Sequence, residues 1–148
     1  MLRMKTDQIL DRKGRDVATI TPESPVRAAV EQLGSVNVGA LVVSADGTTV
    51  AGIVSERDVV RRLAADGPQL LDEPVSSIMQ ADVLTCTGAD PVDDLMHRMT
   101  EHRIRHLPVV DDEARLVGII SIGDVVKTHV DALETEREQL VDYIRTGR

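Results

Sequence analysis

The sequence contains no phenylalanine and no tryptophan, and Tyr143 is its single tyrosine. A buried core must therefore be built from aliphatic side chains, and the chain lacks the aromatic platforms on which proteins stack single-stranded bases. The net charge of −8 is also unfavourable for a polyanionic partner, because affinity for nucleic acids comes largely from lysine and arginine at the phosphates. We expect no nucleic-acid partner, whereas a small phosphorylated ligand needs only local positive charge.

Cysteine and long apolar runs are equally scarce. The single cysteine, Cys86, excludes an internal disulfide and any metal site built from several cysteines, and its apolar surroundings predict a small buried side chain. No segment approaches the roughly 20 apolar residues of a membrane-spanning helix. The N-terminal sequence MLRMKTDQIL carries charges where a secretory signal needs an apolar centre. We therefore expect a cytoplasmic protein that has no membrane partner.

What the sequence does contain is a repeat. When the chain is aligned with itself at an offset of 66 residues, positions 16–60 match positions 82–126 without a gap, and 15 of the 45 pairs are identical. The longest similarity joins GIVSERDVV at 52–60 to GIISIGDVV at 118–126. Upstream, Ile9 and Leu10 resemble Ile78 and Met79 after a three-residue insertion within the basic stretch DRKGR, which we interpret as a solvated turn. A period this long and a count of two indicate an internal duplication rather than a solenoid.

Each copy has the same predicted elements. A short strand precedes a helix with an apolar period near 3.6, and two further strands lead through the repeated nonapeptide into a second helix. The predicted strands are Val17–Thr21, Ala40–Val43 and Val50–Val54 in the first copy, and Val83–Thr87, Leu107–Val110 and Leu116–Ile120 in the second. Gly67, Pro68 and Pro74 mark a linker. The order β-α-β-β-α, twice, predicts a first repeat at 6–66, a linker at 67–74, a second repeat at 75–130 and a helical tail at 131–148. The apolar stripe of that tail fits packing on its own domain and docking on a partner subunit equally well.

The nonapeptide contains a helix start. Ser55 and Asp58, like Ser121 and Asp124, form the pattern of a capping box, in which the serine accepts a backbone N–H and the acid lies near the positive end of the helix dipole. The two boxes can be helix caps and nothing more. The same geometry also suits a nucleotide, because free N–H groups at a helix start attract a phosphate and a carboxylate accepts hydrogen bonds from a ribose diol.

With these motifs, the chain closely resembles the cystathionine-β-synthase (CBS) domain family. The resemblance runs from about Thr6 to Val130, and NVGALVV…AGIVSERDVVRRL and RHLPVVDD…LVGIISIGDVV carry it. It implies a Bateman module like the small stand-alone bacterial CBS-pair proteins. The implied fold is mixed α/β (α+β), with two pseudo-two-fold-related repeats packed through their sheets and a C-terminal helix.

The resemblance also implies two sites for an adenine nucleotide in the cleft between the repeats. Asp58 and Asp124 would hold the ribose hydroxyls, with Ser55 and Ser121 near the phosphates and the backbone of Ala18 and Leu84 at the adenine edge. Arg57 is either a phosphate ligand or a solvated arginine, and Arg105 with His106 is either a phosphate-binding pair or a polar strand edge. The implied site residues are Ala18, Thr19, Gly39, Ala40, Ser55, Arg57 and Asp58 for the first site, and Leu84, Thr85, Ile104, Arg105, His106, Ser121 and Asp124 for the second.

Other chemistry has little support in the sequence. His102 and His106 are four residues apart near His97, but a strand is predicted to begin near Ile104, so the two do not share a helix face and we predict no metal site. No nucleophile stands in a recognisable frame with a base, so we expect no enzyme activity.

Two functions follow as expectations. The first is a sensor that binds AMP, ADP, ATP, NAD or S-adenosylmethionine as a regulatory ligand, has no obligatory cofactor, forms a homodimer and acts in trans on an unknown effector protein. The second is a dimeric protein-interaction module that needs no ligand.

Overall fold

The computed structural model describes residues 4–146, which form five α-helices, two short 3₁₀ turns and five strands. The helices are α1 Thr6–Lys13, α2 Val26–Val36, α3 Glu56–Asp66, α4 Val92–His102 and α5 Ile122–Thr146. The strands are β1 Thr19–Ile20, β2 Ala40–Val43, β3 Gly52–Ser55, β4 His106–Val110 and β5 Leu116–Ser121, and the 3₁₀ turns are Pro68–Asp72 and Val75–Ser77. The mixed α/β architecture that the sequence predicts is confirmed, with α2 and α4 at the positions of the apolar periodicity.

The two sheets differ by one strand. In the first repeat, β1 pairs parallel with β2 and β2 pairs antiparallel with β3. In the second, β4 pairs with β5, and the segment before α4 contributes a single bridge, Cys86 to Val109. The predicted strand Val83–Thr87 is therefore wrong, and Pro108 supplies the reason. The equivalent residue, Val42, donates its N–H to the carbonyl of Ala18, a hydrogen bond that proline has no proton to make.

Each repeat has its own aliphatic core, as the missing aromatic residues require. Cys86 is buried in the second core, and burial raises the pKa of its thiol to about 12, so it is a packed apolar group, as predicted. The first core consists of Ile20, Val26, Ala29, Leu33, Leu41, Val43, Val54, Val59, Leu70, Val75 and Ile78. The second consists of Ile9, Leu10, Cys86, Val92, Leu95, Met99, Leu107, Val109, Ile120 and Val125.

These cores contain exchanged segments. Helix α1, at the start of the chain, packs in the second core, and the linker segment at 68–80 packs in the first. The backbone hydrogen bonds of the two exchanges match pair by pair. In the second core the bonds are Thr6 N to Asp90 O (2.9 Å), Asp7 N to Gly88 O (2.9 Å) and Val92 N to Met4 O (2.9 Å). Their counterparts in the first core, in the same order, are Val75 N to Ser24 O (2.8 Å), Ser76 N to Pro22 O (3.0 Å) and Val26 N to Glu73 O (2.8 Å). Each of the two segments thus precedes one repeat along the chain and packs in the core of the other.

Two glycines of the repeated nonapeptides make this exchange possible. A Cβ at Gly52 would lie 2.6 Å from the sulfur of Met79 and 2.9 Å from the carbonyl oxygen of Gln80. A Cβ at Gly118 would lie 2.7 Å from a methyl group of Leu10. Both glycines therefore allow the close backbone approach expected at these positions. The predicted boundaries 6–66, 67–74, 75–130 and 131–148 give the order of the repeats along the chain and remain predictions, while each core takes residues from outside its own stretch.

Helix α5 runs without a break from the second nonapeptide into the tail. Its first turns contribute Val125 and Thr128 to the buried part of the molecule, but every residue from 132 to 146 is exposed. The tail therefore does not pack on its own domain, and docking on a partner subunit stays a prediction. Among residues 4–146, no helix is long and apolar enough to cross a membrane.

Candidate functional site

The strand register brings the predicted site residues together in both repeats. Ala40 on β2 pairs with Ser55 on β3, and His106 on β4 pairs with Ser121 on β5. At the next position, the carbonyl of Gly39 accepts a hydrogen bond from Glu56 N (3.0 Å), as that of Arg105 does from Ile122 N (2.8 Å). Each hairpin thus holds the residues before its first strand beside the start of the helix that follows its second.

Both capping boxes are present, as the sequence predicts. The N–H of Ser55 donates to Asp58 Oδ2 at 2.9 Å, and Asp58 N donates back to Ser55 Oγ at 3.3 Å. The corresponding distances in the second box are 2.9 Å from Ser121 N to Asp124 Oδ2 and 3.1 Å from Asp124 N to Ser121 Oγ. These bonds fix both carboxylates at the first turn of a helix, where the dipole favours their charge. Caps are therefore part of the role of these residues, and each acid is still partly exposed.

Each acid also receives a side-chain donor that the sequence analysis missed. Gln80 Nε2 donates to Asp58 Oδ1 at 3.2 Å, and Lys13 Nζ donates to Asp124 Oδ2 at 2.7 Å and to the carbonyl of Ile119 at 2.9 Å. Both donors come from the exchanged segments. The interpretation of DRKGR as a solvated turn is therefore wrong, because Asp11–Lys13 end helix α1 and Lys13 forms an ion pair with the second repeat.

Burial and nearby charges shift the pKa values of Asp124 and of the neighbouring His106. Partial burial on its own would raise the pKa of Asp124, but the hydrogen bonds from Lys13 and Ser121 and the positive charge of Lys13 outweigh it, so the pKa is lowered. His106 is half-buried, and a Cβ at Gly39 would lie 3.4 Å from its imidazole. Burial lowers the pKa of His106, and the charge of Lys13 acts in the same direction. The imidazole of the second repeat therefore lies against the border of the first candidate site, in surroundings that disfavour its protonation.

The segments before α2 and α4 offer different backbone groups. The carbonyl of Ala18 accepts from Val42 N (3.1 Å), and that of Thr19 accepts from the amide of Gln32 (3.0 Å). The carbonyl of Thr85 accepts from Arg98 (3.2 Å). Because Pro108 has no N–H, the carbonyl of Leu84 lacks the donor that the carbonyl of Ala18 has, and the N–H of Leu84 also makes no hydrogen bond to any other described residue. Both polar groups of Leu84 are consequently free to meet a ligand.

Two of the predicted residues make no hydrogen bond to either acid in the part of the chain that the structure describes. The side chain of Arg57 is exposed on α3 and has no hydrogen bond or ion pair with another residue of the described part. Ile104 packs against the second core.

Two surface hollows accompany the sites. A cavity of about 120 Å³ lies beside the second acid, where α1 meets α5, and is lined by Ile9, Arg12, Lys13, Asp124, Lys127, Thr128 and Asp131. A larger one of about 440 Å³ lies in the first repeat between β1 and α2 and shares only Thr19 with the predicted site. We place the candidate ligand site at the acids rather than in the larger hollow, because the convergent charged and backbone groups lie there.

His102 and His106 lie on different elements of the fold. Helix α4 ends at His102, Arg103 adopts a left-handed backbone with φ of 54°, and His106 lies on β4. The four-residue spacing is therefore broken where the sequence predicts. In the part of the chain that the structure describes, no three histidine, cysteine, aspartate or glutamate side chains come together in a metal-binding arrangement.

Comparison with known proteins identifies the family. The CBS-domain family model matches residues 11–65 and 75–131. A mitochondrial CBS domain-containing protein of Arabidopsis thaliana is 37% identical over 86% of this chain, which spans 63% of the relative's length. The crystal structure of a CBS-domain-containing protein from Agrobacterium tumefaciens is 41% identical with a TM-score of 0.82, covering 86% of this chain and 95% of that one.

A second solved structure carries a ligand. It is a CBS domain protein of Pyrobaculum aerophilum complexed with AMP, 30% identical with a TM-score of 0.74, which covers 82% of this chain and 89% of that one. Together with the duplicated hairpins and their matched capping boxes, these similarities show that the chain belongs to the CBS-domain family and carries two CBS domains in tandem.

Proposed function

We propose that the protein is a non-catalytic regulatory module that binds an adenine nucleotide in the cleft between its two CBS domains. The observation that carries this proposal is the matched pair of acids, Asp58 and Asp124, each fixed by its serine at a helix start and each still partly exposed. The AMP complex of the Pyrobaculum relative supports an adenosine ligand. The compatible ligands are AMP, ADP, ATP, NAD and S-adenosylmethionine.

The acids receive the ribose in this proposal. Two vicinal hydroxyls donate to one carboxylate, and Asp124 Oδ1 has no hydrogen-bond donor among residues 4–146, so one acceptor position is open without any rearrangement. Ser55 and Ser121 lie next to the phosphates, at the positive end of a helix dipole.

The remaining site residues complete the cleft. Leu84 offers the adenine edge a free N–H and a free carbonyl, whereas the carbonyl of Ala18, at the same edge in the first repeat, already accepts from Val42 N. The residues that border the ligands are Thr19, Gly39, Ala40 and Arg57 in the first site, and Thr85, Ile104, Arg105 and His106 in the second.

The signal passes to other chains in the cytoplasm. A ligand shifts the arrangement of two repeats or two subunits only by its differential affinity for the two states. We propose a homodimer as the assembly that changes, with an effector protein acting in trans as the reader. Val60 and Val126, at equivalent positions on α3 and α5, are 65% and 51% exposed and provide a matched apolar surface for the second copy.

The test is thermal unfolding with AMP, ADP, ATP, NAD and S-adenosylmethionine, with GTP and inorganic phosphate as controls. A specific ligand at a hundred times its dissociation constant stabilises by about 2.7 kcal/mol, which for this chain length raises Tm by roughly 5–10 °C. We expect at least one adenine compound to do so, and the double variant Asp58→Asn/Asp124→Asn to lose the shift.

A matched control separates ligand binding from helix capping. Asp94 lies in the first turn of α4, at the same helix position as Asp58 in α3. Asp94→Asn removes one helix-start charge and should keep the full ligand shift. If no adenine compound raises Tm at millimolar concentration on ligand-free protein, the proposal fails.

That failure would favour a ligand-independent interaction module. The exposed apolar residues of α5, among them Leu140 and Ile144, support this second function because they have no partner within residues 4–146. A dimer that persists without ligand and is unchanged by it, measured by light scattering, would support the second function over the first.

A further inference from the structure

The two candidate sites differ in charge although their hairpins and capping boxes correspond residue by residue. Asp58 receives its exchanged donor from the neutral amide of Gln80, and Asp124 receives its own from the ammonium of Lys13. An amide leaves the charge of the carboxylate uncompensated, whereas Lys13 neutralises it in a partly exposed ion pair. The side-chain donor to the acid therefore differs by one positive charge between the repeats.

The other charged residues around the two acids also make the second site more positive than the first. Two acids and one cation surround the first site, and one acid and two cations surround the second, where His106 adds a titratable group. The side-chain donors to the two acids are Gln80 and Lys13, which occupy different positions of the exchanged segments. The pairs equivalent at an offset of 66 residues, first repeat before second, are Gly39 and Arg105, Ala40 and His106, Glu56 and Ile122, and Arg57 and Gly123. Position 122 lacks the acid of position 56, so the difference does not depend on Lys13 alone.

These charges lie close enough together to act on one group. The pKa of His106 is lowered by burial and by Lys13 and Arg105, against the opposing effects of Asp124 and Glu56. Four charged side chains from α1, from both repeats and from the capping box thus surround a single imidazole. The positive charges of the second site therefore act on an imidazole that lies against Gly39 of the first repeat, at the border where the ligand is proposed to lie.

We infer that the second site takes a phosphate-bearing, anionic adenosine ligand and that Lys13 determines this preference, whereas the first site takes an adenosine derivative with little or no negative charge. The inference rests on the proposed nucleotide function. A ribose hydroxyl donates to the open Oδ1 of Asp124, and Lys13, on its flexible stem at Oδ2, lies within reach of the phosphates of the same ligand. Hydrogen bonds between an ammonium and a phosphate are charge-assisted and strong, and Gln80 offers none of comparable strength.

The experiment is calorimetric titration of the full chain with ATP and with adenosine, in an Asp58→Asn background that leaves only the second site. We expect ATP to bind at least tenfold more tightly than adenosine. Adding Lys13→Gln, which gives the second site the donor of the first, should weaken ATP about tenfold and adenosine less than twofold. Lys13→Arg should restore ATP binding, and in an Asp124→Asn background Gln80→Lys should strengthen ATP binding at the first site.

Lys127→Gln is the matched control. Lys127 lines the same hollow beside the second acid but makes no hydrogen bond to it. Its loss should weaken ATP less than threefold. An equal loss in both lysine variants would show a general field effect and overturn the assignment to Lys13. Thermal unfolding of each variant without ligand verifies that α1 remains docked.

Three further outcomes are decisive. If Lys13→Gln weakens the binding of ATP and adenosine equally, Lys13 only positions Asp124. If it strengthens the binding of both, Lys13 blocks the site in the unmutated protein. Either result overturns the inference. If the unmutated protein binds ATP and Lys13→Gln changes nothing, the inference fails while the proposed function survives. If the unmutated protein binds no adenine compound, both fail.

Discussion

The first and second repeats share the same arrangement of hairpin and helix and differ in the side chains around their acids. The first has three paired strands, Gly39 and Ala40 at the start of β2 and an amide that donates to its acid. The second has two paired strands, Arg105 and His106 at the start of β4 and an ammonium that donates to its acid. The parts that stay equal are the glycines, the capping boxes and the exchange of segments. Duplication has therefore kept what packing requires, while the polar groups around the two acids are free to differ.

The largest expected effect tests the exchange of segments. Leu10 and Met79 occupy equivalent positions, but Leu10 is fully buried in the second core and Met79 is only partly buried at the first. Leu10→Ala should lower the free energy of unfolding by about 3 kcal/mol, within the usual range for a buried leucine, and Met79→Ala by clearly less. Urea unfolding measures both. A loss below about 1 kcal/mol for Leu10→Ala would show that α1 is not part of the second core.

The two glycines allow a finer comparison. Gly52→Ala brings a methyl group against the main-chain oxygen of Gln80, which is held by the hydrogen bond from Ile53 N at 3.0 Å. Gly118→Ala meets the branched end of Leu10, which has some rotamer freedom. We expect losses of about 2 kcal/mol or more for Gly52→Ala and about 1–2 kcal/mol for Gly118→Ala, since overpacking is cheaper against a side chain. The reverse order in chemical denaturation would contradict this account of the close approach.

The smallest expected effect concerns pH and belongs to the second repeat alone. The pKa of His106 in the fold lies below its value of 6.5 in the unfolded chain, because burial and the nearby Lys13 and Arg105 outweigh Asp124 and Glu56. The unfolded state therefore binds more protons below about pH 7, and stability falls as pH decreases through 6.5 towards the lowered pKa. His106→Gln should flatten that part of the curve of Tm against pH. An unchanged slope would show that the imidazole is as solvated as in the unfolded chain.

Much of this architecture could be predicted from the sequence because it depends on patterns that the sequence itself shows. The offset of 66 residues, the apolar period of α2 and α4 and the serine–aspartate boxes each depend on residues a few positions apart. The similarity of Ile9 and Leu10 to Ile78 and Met79 also showed that two segments are equivalent. It did not show which core each segment enters, because an exchanged and an unexchanged packing have the same local sequence.

The missed parts of the site are long-range contacts. Lys13 and Asp124 are 111 positions apart, and nothing in the stretch DRKGR distinguishes a lysine in solvent from one that pairs across the molecule. The loss of the first strand in the second repeat is different. The sequence shows Pro108 as a residue that has no N–H to donate. Only the pairing in the first repeat, where Val42 N donates to Ala18, shows that Pro108 stands where Leu84 would need a donor for the strand to form.

The most direct test of the central claim is a calorimetric titration of ligand-free protein with AMP, repeated on Asp58→Asn, on Asp124→Asn and on the double variant. We predict that AMP binds the unmutated chain, that at least one single variant loses affinity by tenfold or more, and that the double variant does not bind, while Asp94→Asn binds normally. AMP binding that survives in the double variant would contradict the assignment of the two acids. The absence of heat with AMP and with every other adenine compound would contradict the sensor function itself.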